Sequence, residues 1–554
     1  MTTKTGAELL VECLAIQKAK HIFGIPGESY LAVLDALHGH NSLEFKVARQ
    51  EGGAAMMADA YGKLTGRPGI CMVTRGPGAT NASAGVHVAF QDSTPMILFI
   101  GQVARNQVDR EAFQEIDYRR MFGQMAKWVA QIDDAARIPE YIARAYRVAL
   151  SGRPGPVVLA LPEDMLCDEV QVPDQLPGYI DRAHSAPSSQ ALDQFRDLVS
   201  AAKKPFLIVG GGGWSIAACD AAQDFAQNNG IPVGVSFRCQ DYINNDHPNY
   251  AGHVGIGIDP GLAAKIKESD CLIVVGARLG EMTTSGYSLI ESPIPSQKLI
   301  HVHAAPEEPG HVYQPDLAIA CNHETAMQAF ASLGLIRKDI DSDHVISARK
   351  NFEAFNTTVI TSPGDVQMGE IIKYIDANTP DDVVITNGAG NYAIWHQRFL
   401  RFRGYRTQLA PTSGSMGYGL PAAVAAGLEN PDRTVICFAG DGCFQMTCQE
   451  FSTAVQHGSN IKVIIVNNGM YGTIRMHQER DYPSRVSGTD IVNPDFVGMA
   501  CAMGGHAELV TKTDQFAKAF QRMIDHNGPA LIEIQIDPQA LTPGKTLDDF
   551  RAGK

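Results

Sequence analysis

Basic runs, cysteine pairs and long apolar stretches are all missing from this chain. Lysine and arginine total 46 against 60 aspartates and glutamates, for a formal net charge of −14. No stretch concentrates positive charge, so a nucleic-acid partner held through its phosphates is not expected. The eleven cysteines are scattered without a C-x-x-C pair, which argues against a disulfide framework and for a reducing cytoplasm. No apolar run approaches the roughly eighteen residues needed to cross a bilayer. The first residues, MTTKTGAELLVECLAIQKAKHIFGIPG, read as an amphipathic helix running into a strand rather than as a secretion signal.

What is present points to a large α/β protein. Apolar residues make up 45% and charged residues 19% of the 554 positions, enough for about three well-filled domains. Short apolar strands alternate with helical patterns throughout, which implies three doubly wound domains with mainly parallel sheets. The expected domains are residues 1–180, 190–335 and 362–554. The Pro-, Ser- and Asp-rich stretch VQVPDQLPGYIDRAHSAPSSQ links the first two, and a charged helical connector, IRKDIDSDHVISARKNFEAFN, leads into the third.

One segment carries chemistry in its spacing. In RTVICFAGDG a buried strand stops at glycine, an apolar-periodic helix follows across FQMTCQEFSTAVQHG, and KVIIVNN is a second strand. This is a βαβ unit, and such units present ligands at the carboxyl ends of their strands. Asp441, Asn467 and Asn468 all fall there. A carboxylate and an amide oxygen converging on one spot suit a hard cation such as magnesium with phosphate on its remaining positions. The plain alternative is a helix cap and a turn. The order and spacing, with 24 residues between Gly442 and Asn467, resemble the GDG…NN signature of thiamine diphosphate enzymes.

Such a cofactor needs a second half-site, because its ring becomes a nucleophile only after losing a proton. A well-placed glutamate against the aminopyrimidine would promote that step. FKVARQEGGAAMMADAYGKLTG supplies Glu51 at a helix start, followed by the small residues Gly52, Gly53, Ala54 and Ala55. Taken alone, Glu51 could simply complement the helix dipole. With HIFGIPG before it and GPGATN after it, nearly the whole chain resembles the thiamine diphosphate-dependent decarboxylase and carboligase family, most of all the acetolactate synthase catalytic subunits.

The resemblance implies pyrimidine-binding, central and diphosphate-binding domains, in that order, with Glu51 as the activating acid. It implies magnesium ligands from Asp441, Asn468 and the Met470 carbonyl. Cofactor contacts would extend to Pro26, Gly27, Thr74, Pro77 and Asn81 in the first domain. In the third they would include Gly390, Asn391, Tyr392, Gly414, Met416, Gly440, Gly442, Cys443, Tyr471 and Gly472. Met416 would wedge between the cofactor rings, a use that suits a polarizable, adaptable side chain. The reaction implied is decarboxylation of a 2-oxo acid such as pyruvate and transfer to a second carbonyl. The alternative is a non-oxidative decarboxylase or a C–C lyase acting on another substrate. Phe113, Gln114 and Lys127 match the substrate-facing loop of the synthases, and Gln102, in FIGQV, would belong to the same wall. Sites would form between subunits of a homodimer or homotetramer.

The likeness departs from the synthases in three places. GARLGEMTTSG puts Met282 where they carry an arginine, with Arg278 retained. His477 stands where they carry a tryptophan, and an imidazole there could move protons. The synthases bind FAD in the central domain, and VGGGGWS could admit a pyrophosphate. However, HVHAAP places His303 and Ala305 at acidic positions, and Asn322 replaces an aspartate. FAD therefore stands beside an empty domain or another nucleotide. The C-terminal LTPGKTLDDFRAGK would either close over the site or be disordered.

Overall fold

The computed structural model describes residues 2–172 and 175–553. Pro173 and Asp174 of the expected linker, with Met1 and Lys554, lie outside the described residues. Three six-stranded sheets follow one another along the chain, and every pairing within them is parallel. Several inner strands, Gly69–Val73, Met96–Gln102, Cys271–Val275 and Val435–Gly440 among them, are buried at every position. Continuous apolar runs of this kind are what a sheet covered by helices on both faces requires.

The first sheet runs edge to edge as Glu44–Val47, His21–Gly24, Gly69–Val73, Met96–Gln102, Pro156–Pro162 and Trp128–Gln131. The third runs as Gln408–Leu409, Val384–Asn387, Val435–Gly440, Ile461–Asn467, Ala530–Gln535 and His506–Val510. Counted in chain order within each sheet, both read 2-1-3-4-6-5. The central sheet reads 3-2-1-4-5-6, the order of dinucleotide-binding folds. In each, the order reverses beside the first strand. The loops leaving the strands on either side of that point diverge and open a crevice at the carboxyl edge.

The first and third domains share a core. Helix Glu51–Thr65 lies against helix Gly419–Glu429, and Ala54, Ala55 and Ala58 join Ala422, Ala423 and Val424 in one buried cluster. An antiparallel ribbon, Thr3–Thr5 with Glu169–Gln171, ties the start of the first domain to its end. The charged connector forms helix Ser342–Thr357, as its pattern suggested. No helix among the described residues is long and apolar enough to cross a membrane.

The helix expected across FQMTCQEFSTAVQHG is two helices, Asp441–Gln445 and Glu450–His457. At the break, the Thr447 hydroxyl donates to the Gly417 carbonyl at 2.6 Å, and Cys443 Sγ accepts the Gly417 N–H at 3.2 Å. Contacts with the loop carrying Met416 win over helix continuity.

Candidate active site

The third sheet's crevice holds the GDG and NN motifs. Asp441 is buried, with Oδ1 accepting the Gly442 N–H at 2.9 Å. Its Oδ2 accepts the Gly469 N–H at 2.9 Å and Asn493 Nδ2 at 2.8 Å. Burial pushes this carboxyl above its ordinary range, a cost that a bound divalent cation would reverse. Asn468 Oδ1 accepts the Met470 N–H at 3.2 Å, and a Cβ on Gly472 would lie 2.7 Å from Asn468 Nδ2. A side chain there would push the Asn468 amide out of place.

A cavity of about 240 Å³ opens at this point. Gly390, Asn391, Tyr392, Gly414, Met416, Gly440, Asp441, Gly442, Cys443, Asn468, Met470, Tyr471 and Gly472 all line it. The structure thus gathers in one place every third-domain residue singled out from sequence, except Asn467 and His477. The Tyr392 hydroxyl accepts the Gly388 N–H at 3.0 Å and lies 3.2 Å from Cys443 Sγ. The Asn391 N–H donates to Thr473 Oγ1 at 3.1 Å. The donor set is one carboxylate, one amide oxygen and backbone carbonyls, which fits a magnesium ion completed by phosphate oxygens. Among the described residues no group of three His, Cys, Asp or Glu could hold a metal unaided.

In the first domain, Glu51 opens its helix half-buried, and Asn81 Nδ2 donates to Glu51 Oε2 at 2.9 Å. Gln50 caps the same helix by accepting the Gly53 N–H at 3.0 Å. Pro26 and Gly27 leave strand His21–Gly24 beside Thr74, whose Oγ1 lies 2.8 Å from Ser29 Oγ, and Pro77 begins helix Pro77–Asp92. Gln114 has φ +67° and packs on Gly76, where a Cβ would come within 2.7 Å of Gln114 Cβ. Holding a non-glycine residue there costs on the order of 1 kcal/mol. The loop is braced accordingly: Arg75 Nε donates to the Phe113 carbonyl at 3.0 Å and Gln102 Nε2 to the Ile116 carbonyl at 2.9 Å. Gln102 is a buried strut, while the Phe113 ring is 75% exposed. Lys127 is used differently. Its ammonium donates to the Val148 and Ser151 carbonyls at the end of helix Ile138–Leu150, which accounts for a lysine there without a substrate. None of these first-domain residues lines the cavity around Asp441 within the single chain.

Met282 and Arg278 line a larger cavity of about 850 Å³ that adjoins the first at Gly390, Asn391 and Gly414 and is bounded by all three domains, including Gly211, Gly212 and Gly213. His303 is buried against His323, 5.4 Å between ring centroids, and its Nδ1 accepts the Ala305 N–H at 3.0 Å. Burial holds the His303 imidazole down to about 2, so it is neutral. Asn322 Oδ1 is occupied by the Ser185 N–H at 2.6 Å and hydroxyl at 2.9 Å. Doubly wound folds recognise nucleotide ribose with a free carboxylate. The three positions the resemblance reserves for acids hold neutral groups, so they do not fit a flavin nucleotide bound in that way.

His477 lies half-buried on helix Gly472–Asp481, its Nδ1 without a hydrogen-bond partner among the described residues, and it does not line the smaller cavity. The C-terminal segment is ordered over this region. Ala540 and Leu541 line the cavity, and helix Leu547–Arg551 docks on the His477 helix. There Arg551 grips Glu479 through two bonds of 2.9 and 2.8 Å.

Two residues in the site have no signature in the sequence. Asn493 bridges Asp441 and Asn467 from a loop far along the chain. Glu450 is buried where the first and third domains meet, both carboxylate oxygens 3.2 Å from the Arg49 N–H, one residue before the cap of the Glu51 helix. Burial pushes its carboxyl up to about 7. The one available signal was a glutamate on the apolar face of a predicted helix.

Comparison with known proteins matches this geometry. Three family descriptions align in order: the N-terminal TPP binding domain of thiamine pyrophosphate enzymes over residues 4–121, their central domain over 192–330 and their C-terminal TPP binding domain over 388–534. The chain is 33% identical to the acetolactate synthase large subunit of Corynebacterium glutamicum, covering 97% of this chain and 87% of that one. It is 31% identical to the acetolactate synthase large subunit of Lactococcus lactis, covering 96% and 92%. Against the acetolactate synthase isozyme 2 large subunit of Escherichia coli the identity is 30%, covering 96% and 95%. With all three domains present in order and nearly full-length likeness to these subunits, the chain belongs to the thiamine pyrophosphate enzyme family, alongside the acetolactate synthase large subunits.

Proposed function

We propose that this protein is a thiamine diphosphate- and magnesium-dependent carboligase of the acetolactate synthase type, acting in the cytoplasm. It would decarboxylate a 2-oxo acid such as pyruvate and join the remaining fragment to a second carbonyl. The observation that carries this reading is the cavity at the carboxyl edge of the third sheet in which Asp441, Asn468, Met470 and Met416 converge. Thiamine diphosphate, when bound, supplies the carbanion chemistry.

The chain's own groups would do the rest. Asp441, Asn468 and the Met470 carbonyl would hold the magnesium, and the Gly390–Tyr392 turn would receive the diphosphate. Glu51, oriented by Asn81, would hold the proton at its carboxyl against the pyrimidine. Gln114 and Phe113 would meet the substrate, with Gln102 bracing their loop, while Lys127 stays with the helix-end carbonyls that engage its ammonium. Because the cavity is lined by third-domain residues alone, a second copy would bring Glu51 to it, making a homodimer the smallest complete unit. A homotetramer would repeat the arrangement. No step is assigned to FAD, given the neutral groups at His303, Ala305 and Asn322.

A second reading, a decarboxylase or C–C lyase, draws on two features: a thioether at Met282 and an imidazole at His477 with an unengaged nitrogen. The test is turnover of pyruvate with thiamine diphosphate and magnesium, with products identified by NMR. Acetolactate would establish the carboligase and acetaldehyde the second reading. No turnover with cofactor bound would reject pyruvate and direct the search to other 2-oxo acids.

A further inference from the structure

The segment Ala410–Tyr418 carries Gly414 and Met416, and both of its ends are held from the first domain. Near its start, Asp92 Oδ1 accepts the Thr412 N–H at 2.7 Å and also the Thr412 hydroxyl. Lys63 donates to the Ala410 carbonyl at 3.1 Å. At its far end, the Tyr418 hydroxyl donates to Asp59 Oδ2 at 2.6 Å, and Lys63 Nζ lies 3.1 Å from the same hydroxyl. Lys63 joins the two ends by pairing with Asp59 at 3.1 Å and with Asp92. The Asp59 side chain is fully buried and that of Asp92 nearly so.

A buried lysine shared by two carboxylates is a poor source of stability, since desolvation offsets most of its attraction. What such a group fixes is geometry. The segment needs fixing: Gly414 and Gly417 lie at φ +66° and +81°, and Met416 is only partly buried. Without restraint, a glycine-rich loop of this kind samples many conformations.

We propose that Asp59, Lys63 and Asp92 form a positioning clamp that holds the Gly414–Met416 loop of their own chain in its cofactor-receiving shape. The proposal rests on the reading that this loop meets thiamine diphosphate. Helix Glu51–Thr65 then has two duties. Its first residue faces outward to serve a partner's cofactor, while Asp59 and Lys63, two and three turns on, shape the loop that receives its own.

The test compares Thr412→Val and Tyr418→Phe, each removing one hydroxyl at near-constant shape, with Ser459→Ala. The Ser459 hydroxyl is also buried and donates to the Val424 carbonyl at 3.0 Å, away from the clamp. Thiamine diphosphate affinity in saturating magnesium, amide hydrogen exchange over residues 410–418 and melting temperature are measured on the purified holoprotein. Each clamp variant should weaken cofactor binding by about tenfold, the loss of one hydrogen bond to a charged group. Exchange in that segment should speed up, and the Ser459→Ala protein should change only in melting temperature. Unchanged affinity and exchange in both clamp variants, with Met416→Ala still weakening binding, would overturn the clamp. If Met416→Ala also binds normally, the loop does not meet the cofactor, and the clamp falls together with the reading beneath it.

Discussion

The first and third domains have the same strand order and opposite equipment. At the third sheet's reversal the strands end in Asn387 and Gly440, with Asp441 following; the next strand ends at Asn467, with Asn468 following, and a cavity opens over these ends. At the first sheet's reversal the strands end in Gly24 and Val73, and the loops beyond are packed: Thr74 against Ser29, and Gly76 under Gln114. Its one carboxylate of interest, Glu51, stands on a helix that follows the edge strand Glu44–Val47. Topology decides where a ligand can approach, and the residues at the strand ends decide whether that place receives an anion or presents an acid.

The comparison would break most sharply at Glu51. If the first domain contributes chemistry and the third contributes binding, Glu51→Gln should lower kcat by about 10² to 10⁴-fold. Cofactor affinity, measured by calorimetry, should stay within about threefold. Full activity in this variant would assign activation to another group. In the third domain the effect should invert. Asp441→Ala should weaken thiamine diphosphate binding in the presence of magnesium by about 100-fold, and chelation of the metal should then make little further difference. Equal binding with and without Asp441 would remove the metal from this site.

How far the sequence carried this picture follows from the same contrast. Asp441 and Asn468 were legible because one βαβ unit carries both: neighbouring parallel strands joined by helix put their ends together whatever the rest of the fold does. Asn493 was not legible, since a lone asparagine in a loop has no period or spacing to betray it. Glu450 was hidden because its partner, the Arg49 N–H, lies some 400 residues earlier. The break of the helix at Met446–Gln449 was missed because propensity reads only neighbours, while Thr447 and Gly417 meet through tertiary structure. Lys127 matched a motif, yet its ammonium is engaged by helix-end carbonyls that no local pattern reveals.

The smallest effect concerns the cover over the third site. Arg551 holds the Glu479 carboxyl down to about 2 from an ordinary 4.5. A depressed carboxyl stabilises the docked form fully above its unfolded value, and that contribution is lost as pH falls from about 4.5 toward 2. Arg551 is partly exposed, so solvent screens the pair and the effect should be small. Hydrogen-exchange protection across residues 541–553, taken relative to the intrinsic rate at each pH, should therefore fall as pH is lowered through this window. In an Arg551→Met protein that protection should already be low at neutral pH and much less dependent on acid. A tail equally protected in both proteins would mean that Leu541 and its apolar contacts hold the cover alone.

The ribbon of Thr3–Thr5 with Glu169–Gln171 has a consequence of another kind. It brings positions some 165 residues apart into register, so the first domain leaves the rest of the chain almost where it began. A unit closed in this manner behaves as a cassette: new ends could be cut into one of its surface loops and the old ones joined across the ribbon with little disturbance of the sheet.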